Sequence, residues 1–400
     1  MKKLLLKLNA VDLLASALLL VFIITWFNHR TDVSFHKIQS IAMYTLLYVV
    51  FRLTYTKAEY YFRERIILIT LSACAIWQSI YAILQVTSIY ESKNYLFTMT
   101  GSFHNPGPFG GFLAICASMF IPGIQGEKNR FLKILYSIAT ILCIILLPAT
   151  LSRTSLLAFG TSMLIYISSY KYFRDIIKRY WILALLAISI LGSCAYLYKK
   201  DSADGRAFIN KISGLAIKEN GIKGSGLGKF SVTYGETQAN YFAPYIDDII
   251  HGDSPEKIER ERMIADCPEY AFNEYMEIGV ECGIIGITLF VTLTITAIIF
   301  LYKAKSTGCY GLIALSIFAI FSYPFKMVVF CIFETLFIAM AGAKQNKSGN
   351  TLIPVYITAG LAVIILATGY GKIRKIQKAE KMLQENAKHL QEPRKDKKAW

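Results

Sequence analysis

Long runs of Leu, Ile, Ala and Phe, broken by short polar stretches, fill most of the chain, and within each run the apolar residues are continuous. A segment in lipid must satisfy its own backbone hydrogen bonds, so runs of about 20 apolar residues become membrane-spanning helices. A membrane barrel would instead need apolar and polar residues to alternate at period two, and they do not. Helices are therefore expected near residues 11–28, 38–55, 65–89, 108–124, 132–151, 154–170, 180–198, 274–302, 309–323, 325–342 and 353–370. The fold class is an all-α polytopic membrane protein with about eleven transmembrane helices, roughly ten to twelve allowing for boundary error. Within 309–342, Tyr323-Pro324 either separates two spans or kinks one. The first run follows Lys2, Lys3 and Lys7 but ends in bulky Ile23, Trp26 and Phe27 rather than small residues, so a retained span is expected and not a cleaved signal.

The polar stretches between runs give an orientation. Lys57, Arg63 and Arg65, then Lys128, Arg130 and Lys133, then Lys171, Arg174, Lys178 and Arg179, then Lys303 and Lys305 fall on one side if the N-terminus is cytoplasmic, as the positive-inside rule requires. Ser92–Pro106, the turn at Ser152-Arg153 and the segment before Phe272 then lie outside. From Asp201 to Phe272 the chain has 8 Lys/Arg against 12 Asp/Glu, a balance opposite to the inner connections, and a connection that long is usually functional or folded. The expected units are membrane helices in 1–199, one large outer, catalytic loop in 200–272, membrane helices in 273–370 and a basic tail in 371–400. From Lys372 to Trp400 the tail has 10 Lys/Arg against 4 Asp/Glu. An odd number of spans puts it outside; a single span over Tyr310–Ala343 would return it to the cytoplasm.

Composition agrees with the membrane reading: 54% of residues are hydrophobic, 14% aromatic and 18% charged. A net charge of +16 would raise nucleic-acid binding for a soluble chain. Here its location in inter-span connections and the tail is explained by membrane orientation and anionic lipid, so no nucleic-acid partner is expected. The 8 Cys contain no CxxC pair, and neither a metal site nor a disulfide framework is indicated.

Four polar or Gly/Pro-rich motifs interrupt the apolar pattern, all on the expected outer face. In Thr100-Gly-Ser-Phe-His-Asn-Pro-Gly-Pro-Phe-Gly-Gly-Phe112, Asn105 is suited to bonding freed backbone groups and His104 is a candidate to bond a sugar or phosphate. Leu151-Ser-Arg-Thr-Ser155 places Arg153 at a span junction, where a planar guanidinium matches phosphate oxygens. Asp201-Ser-Ala-Asp-Gly-Arg206 supplies a second such group, with Lys211 five residues on, and the following Gly224-Ser-Gly-Leu-Gly228 reads as a tight turn, since it lacks the spacing of a P-loop. In the last motif, Asp266 to Gly286, a spacing of four puts Asn273, Glu277 and Glu281 on one helical face with Glu274 beside them, and Arg153 and Arg206 are the expected partners of these carboxylates. A transporter would scatter ionisable groups through the midplane, whereas an enzyme acting at a surface gathers them at one depth.

The order Gly-x-Phe-x-Asn-Pro, Ser-Arg, Gly-Arg, Gly-x-Gly-x-Gly-x-Phe, Asn-Glu-Tyr and Glu-x-Gly-Ile-Ile-Gly resembles the O-antigen ligase and O-antigen polymerase superfamily, to which membrane O-oligosaccharyltransferases are related. The resemblance runs from about Gly101 to Gly286. It implies a glycosyltransferase of the bacterial inner (cytoplasmic) membrane that works at the periplasmic face without cofactor or essential metal. The donor would be a glycan on undecaprenyl pyrophosphate; the acceptor would be a hydroxyl of lipid A-core, of a growing O-antigen or capsule glycan, or of a protein. Arg153 and Arg206 would hold the pyrophosphate, with Lys211, His104, Asn105, Asn273 and Tyr275 as further substrate contacts. Ligases commonly carry His before the Asn-Glu-Tyr-like segment, where this chain has Phe272, so the base must be another residue: Glu274 or Glu269, then Asp266 and His251. The competing reading is a lipid-linked oligosaccharide flippase or transporter, for which the sequence offers only Glu334 and Lys326 as charged residues well inside the late spans.

Overall fold

The computed structural model describes residues 9–28, 32–56, 60–179, 200–344 and 355–366. These residues form helices and connections, with no strand among them. In chain order the helices are α1 (Ala10–Asn28), α2 (Asp32–Thr56), α3 (Tyr60–Val86), α4 (Pro106–Gly126), α5 (Arg130–Ala149), α6 (Arg153–Ser168) and α7 (Lys171–Arg179). Then follow α8 (Lys200–Asn220), α9 (Phe230–Phe242), α10 (Ile246–His251), α11 (Glu256–Ile264), α12 (Glu274–Lys303), α13 (Gly308–Ile320) and α14 (Val328–Lys344). A further apolar helix, α15, covers Val355–Leu366. Helices α1, α3, α4, α5 and α12 are each long and apolar enough to cross a bilayer, and the chain is a multi-pass membrane protein. The span expected at 180–198 and the tail 371–400 lie outside the described residues.

Side-chain contacts define two ends of the bundle. At one, which we call the basal end, Asn9 donates to the Gly342 carbonyl at 2.6 Å, and Arg52 donates to both oxygens of Asp12 at 2.8 and 2.9 Å. There also Arg65 Nε meets Glu127 at 2.8 Å, and Glu64 accepts from the Ser306 and Thr307 hydroxyls at 3.0 and 2.6 Å. Arg52 and Asp12 are fully buried, which is tolerable only because each satisfies the other. At the opposite end Ser155 donates to the Gly107 carbonyl and Phe325 N–H to Glu274.

These contacts settle the connection at Tyr323-Pro324. Helix α13 starts beside Glu64 and finishes at the opposite end; α14 starts there and returns to Gly342 beside Asn9. The two are separate antiparallel helices joined by a short turn, Pro324–Lys326, not one kinked helix. Lys326 therefore sits in that connection and not inside a span. Helix α13 rises only about 20 Å, less than a hydrocarbon core of about 30 Å. Irregular backbone at such depth needs protein partners, and it has them: Arg206 donates to Phe321 O at 2.9 Å and Glu274 accepts Phe325 N–H at 2.7 Å.

The segment between Lys200 and Phe272 is folded. Phe208, Ile209, Ile212 and Ala216 recur at helical spacing on α8 and close a small core with Phe230, Tyr234, Ala271 and Val280. The Gly224–Gly228 turn packs against a break in α12, where Gly283 has φ 69°. Ser225 and Gly226 donate backbone N–H to Val280 O and Glu281 O, and Ile284 N–H reaches Gly221 O. The turn thus supplies hydrogen bonds that the broken helix lacks, so these backbone donors serve the fold rather than a substrate.

Candidate active site

All four polar motifs meet at the end of the bundle opposite the Asp12–Arg52 pair. Asn105 caps α4 by accepting Gly107 N–H at 2.8 Å, and Ser155, two residues beyond Arg153, donates to Gly107 O at 3.2 Å. Ser152 caps α6 and fixes the turn in which Leu151 takes φ 51°. Arg153 is thereby placed at the first helical position of α6, over the Gly/Pro-rich entrance to α4.

Arg206 arrives from α8. Its Nη1 donates to Phe321 O at 2.9 Å, and its guanidinium lies 5.1 Å above the Phe272 ring. Burial and the positive charge of Arg153 both lower its pKa, with Tyr323 acting weakly in the opposite sense. The two guanidinium groups are thus close enough to feel one another. Among the described residues no carboxylate forms an ion pair with Arg206.

The carboxylates of α12 go elsewhere. Glu277 and Glu281 do share a helical face, and both take the ammonium of Lys37, at 2.8 and 2.7 Å; Glu277 is also paired with Lys326. The expected pairing of this acidic face with the arginines is therefore replaced by one with two lysines. Asn273 is not on that face: it caps α12, accepting Tyr275 and Met276 N–H at 3.1 and 3.2 Å. Glu274 is buried, with one oxygen on Phe325 N–H. Beside this network is a cavity of about 260 Å³ whose charged lining residues are Lys37, Glu274, Glu277, Glu281, Lys326 and Glu334.

The remaining sequence candidates divide by position. Glu269 is exposed next to Tyr270, whose pKa is pushed up to about 12 by burial and by its hydrogen bond to Glu269. His104 is exposed on the entrance loop. Tyr275 turns into the bundle, its ring 5.3 Å from Phe290 and its hydroxyl 3.4 Å from Ser316 O. Lys211 lies about 140° around α8 from Arg206, held by Glu261 at 2.7 and 2.8 Å and by the Tyr241 hydroxyl at 2.6 Å. Asp266 accepts Cys267 N–H, and His251 Nδ1 lies 2.8 Å from Asp247 O, so both have local partners.

Sequence reasoning missed the residues that hold Arg206. Tyr270 stacks on Tyr323 at 5.4 Å and 22°, and Tyr323 meets Phe272 edge-on at 5.1 Å and 88°. Lys326 lies 5.0 Å over Tyr270. The available signal was the polar interruption Ser322-Tyr-Pro-Phe-Lys326 in an otherwise apolar run, which marks a break but not its partners.

Residues 138–291, from within α5 to within α12, match a family model described as O-antigen ligase. No curated protein matches the chain.

Proposed function

We propose that this chain, whose residues 138–291 match a family model described as O-antigen ligase, is a glycosyltransferase that moves a glycan from undecaprenyl pyrophosphate to an acceptor hydroxyl at the periplasmic face of the cytoplasmic membrane. The observation that carries the reading is the closeness of Arg206 to Arg153 with, among the described residues, no carboxylate paired to Arg206. Two neighbouring guanidinium groups suit a ligand with two adjacent negative charges, and a diphosphate offers oxygens in the planar spacing their forks need. Sidedness is supported by Arg65, Lys128, Arg130, Lys303 and Lys305, which flank the basal ends of their helices, away from this site.

In this reading the acceptor oxygen forms a bond to the anomeric carbon as the bond from that carbon to the pyrophosphate oxygen breaks. The bonding pair leaves on the pyrophosphate, whose growing charge Arg153 and Arg206 stabilise. The hydroxyl proton passes to a carboxylate. Of the two leading sequence candidates Glu269 suits that role better, being exposed beside Tyr270, whereas Glu274 is buried with one oxygen already on Phe325 N–H.

Purified protein given undecaprenyl-pyrophosphate glycan and candidate acceptors should release undecaprenyl pyrophosphate. Arg153→Ala and Arg206→Ala should each lower that release by at least about a hundredfold while leaving the protein inserted and folded. Near-normal turnover in either variant removes that arginine from the mechanism. Movement of the donor across vesicles without bond cleavage would identify a flippase instead.

A further inference from the structure

We infer that Phe272 is a positioning residue, the platform that fixes the plane of the Arg206 guanidinium; the inference rests on the pyrophosphate reading of the site. Arginine has five N–H donors in one plane. A carboxylate partner would orient that plane but occupy its donors and cancel its charge. An aromatic ring under the face orients it and occupies none. Arg206 lies over such a ring, its Cζ 5.1 Å from the Phe272 centroid, and Phe321 O accepts one donor at 2.9 Å. Among the described residues no further hydrogen bond of its guanidinium is seen, which leaves its other donors for a phosphate.

The platform is braced from three parts of the chain. Phe272 has φ 51°, a conformation that bulky residues rarely adopt and that persists only where the surroundings impose it. Tyr323 lies edge-on to the Phe272 ring and is itself stacked on Tyr270. Lys326 closes the far end over Tyr270 and is anchored by Glu277. The ion pairs of α12 therefore reach Arg206 through three rings, without touching substrate.

The test is a double-mutant cycle on undecaprenyl pyrophosphate binding by the full chain in nanodiscs. Phe272→Leu keeps an apolar side chain without a π-face; it should weaken binding about tenfold in the wild-type background and less than about twofold when Arg206 is Ala. Phe272→Tyr should bind within about twofold of wild type. Melting temperatures of all variants are compared, and if Phe272→Leu fails to fold, Lys326→Met at the far end of the stack takes its place in the cycle with the same expectation. An equal loss in both backgrounds, or no loss in the wild-type background, overturns the inference alone. Wild-type affinity in Arg206→Ala overturns the diphosphate reading and this inference with it.

Discussion

Gly224 and Gly283 face each other where the Gly-rich turn meets the break in α12, and neither has room for a side chain. A Cβ on Gly224 would lie 2.4 Å from Glu281 O and Gly283 N; one on Gly283 would lie 2.2 Å from Ile222 O. Both residues also have positive φ, 72° and 69°. Gly224→Ala should therefore destabilise the protein by about 1–3 kcal/mol, read as a lower melting temperature in detergent, whereas Gly235→Ala, with open space around it, should change little. That Gly224 marks a tight turn was legible in the sequence; that the turn repairs a helix broken at Gly283 was not, because Gly221–Gly226 and Val280–Ile284 are far apart in the chain. The same holds for the carboxylates. The shared face of Glu277 and Glu281 follows from helical spacing, but Lys37 is 240 and 244 positions away, and no local pattern could choose it over an arginine. Asn105 was expected to bond freed backbone groups and caps α4, whereas Asn273, expected on the face of Glu277 and Glu281, caps α12 instead.

Between α8 and α11 the brace is ionic. Lys211 bridges both oxygens of Glu261, and Tyr241 donates to the same carboxylate at 2.6 Å. Burial opposes ionisation of Glu261, but the hydrogen bonds from Lys211 and Tyr241 and the charge of Lys211 hold its carboxyl below the ordinary value of 4.5. Burial likewise opposes the charge on Lys211, yet Glu261 and Tyr241 hold the ammonium above its ordinary 10.5. A depressed acid stabilises the fold above its unfolded pKa and loses that contribution as pH falls; a raised base does so below its unfolded pKa and loses it as pH rises. The brace should thus be complete between about pH 4.5 and 10.5. Glu261→Gln should lower the deuterium-exchange protection of backbone amides of α8 and α11 at neutral pH and flatten the loss of protection that the wild type shows as pH drops below about 4.5. Unchanged exchange would show that the brace contributes nothing to this packing. The sequence identified the segment as a unit by its charge and length, but its helical core could be found only once Phe208, Ile212 and Ala216 had a partner surface.

For the whole molecule, the order of crossings was mostly legible, since hydropathy locates spans wherever a run is long and uninterrupted. It left open the region around Tyr323-Pro324, where two short helices and one kinked helix have nearly the same hydropathy. The contacts at both ends of α13 and α14 make them antiparallel crossings, so an impermeant maleimide should label Lys305→Cys from one side of the membrane and Phe321→Cys from the other; both positions are exposed. Labelling from the same side would contradict that arrangement. The crossings bring Arg153 from α6, Arg206 from α8 and the Phe321–Lys326 connection to one end, and the proposed chemistry depends on that convergence. The most direct test is to compare binding of undecaprenyl pyrophosphate and undecaprenyl monophosphate by the wild type, Arg153→Ala and Arg206→Ala in nanodiscs. Wild type should prefer the diphosphate by at least about tenfold and each single variant should lose that preference; a preference that survives both substitutions would contradict the pairing of these two arginines on one pyrophosphate.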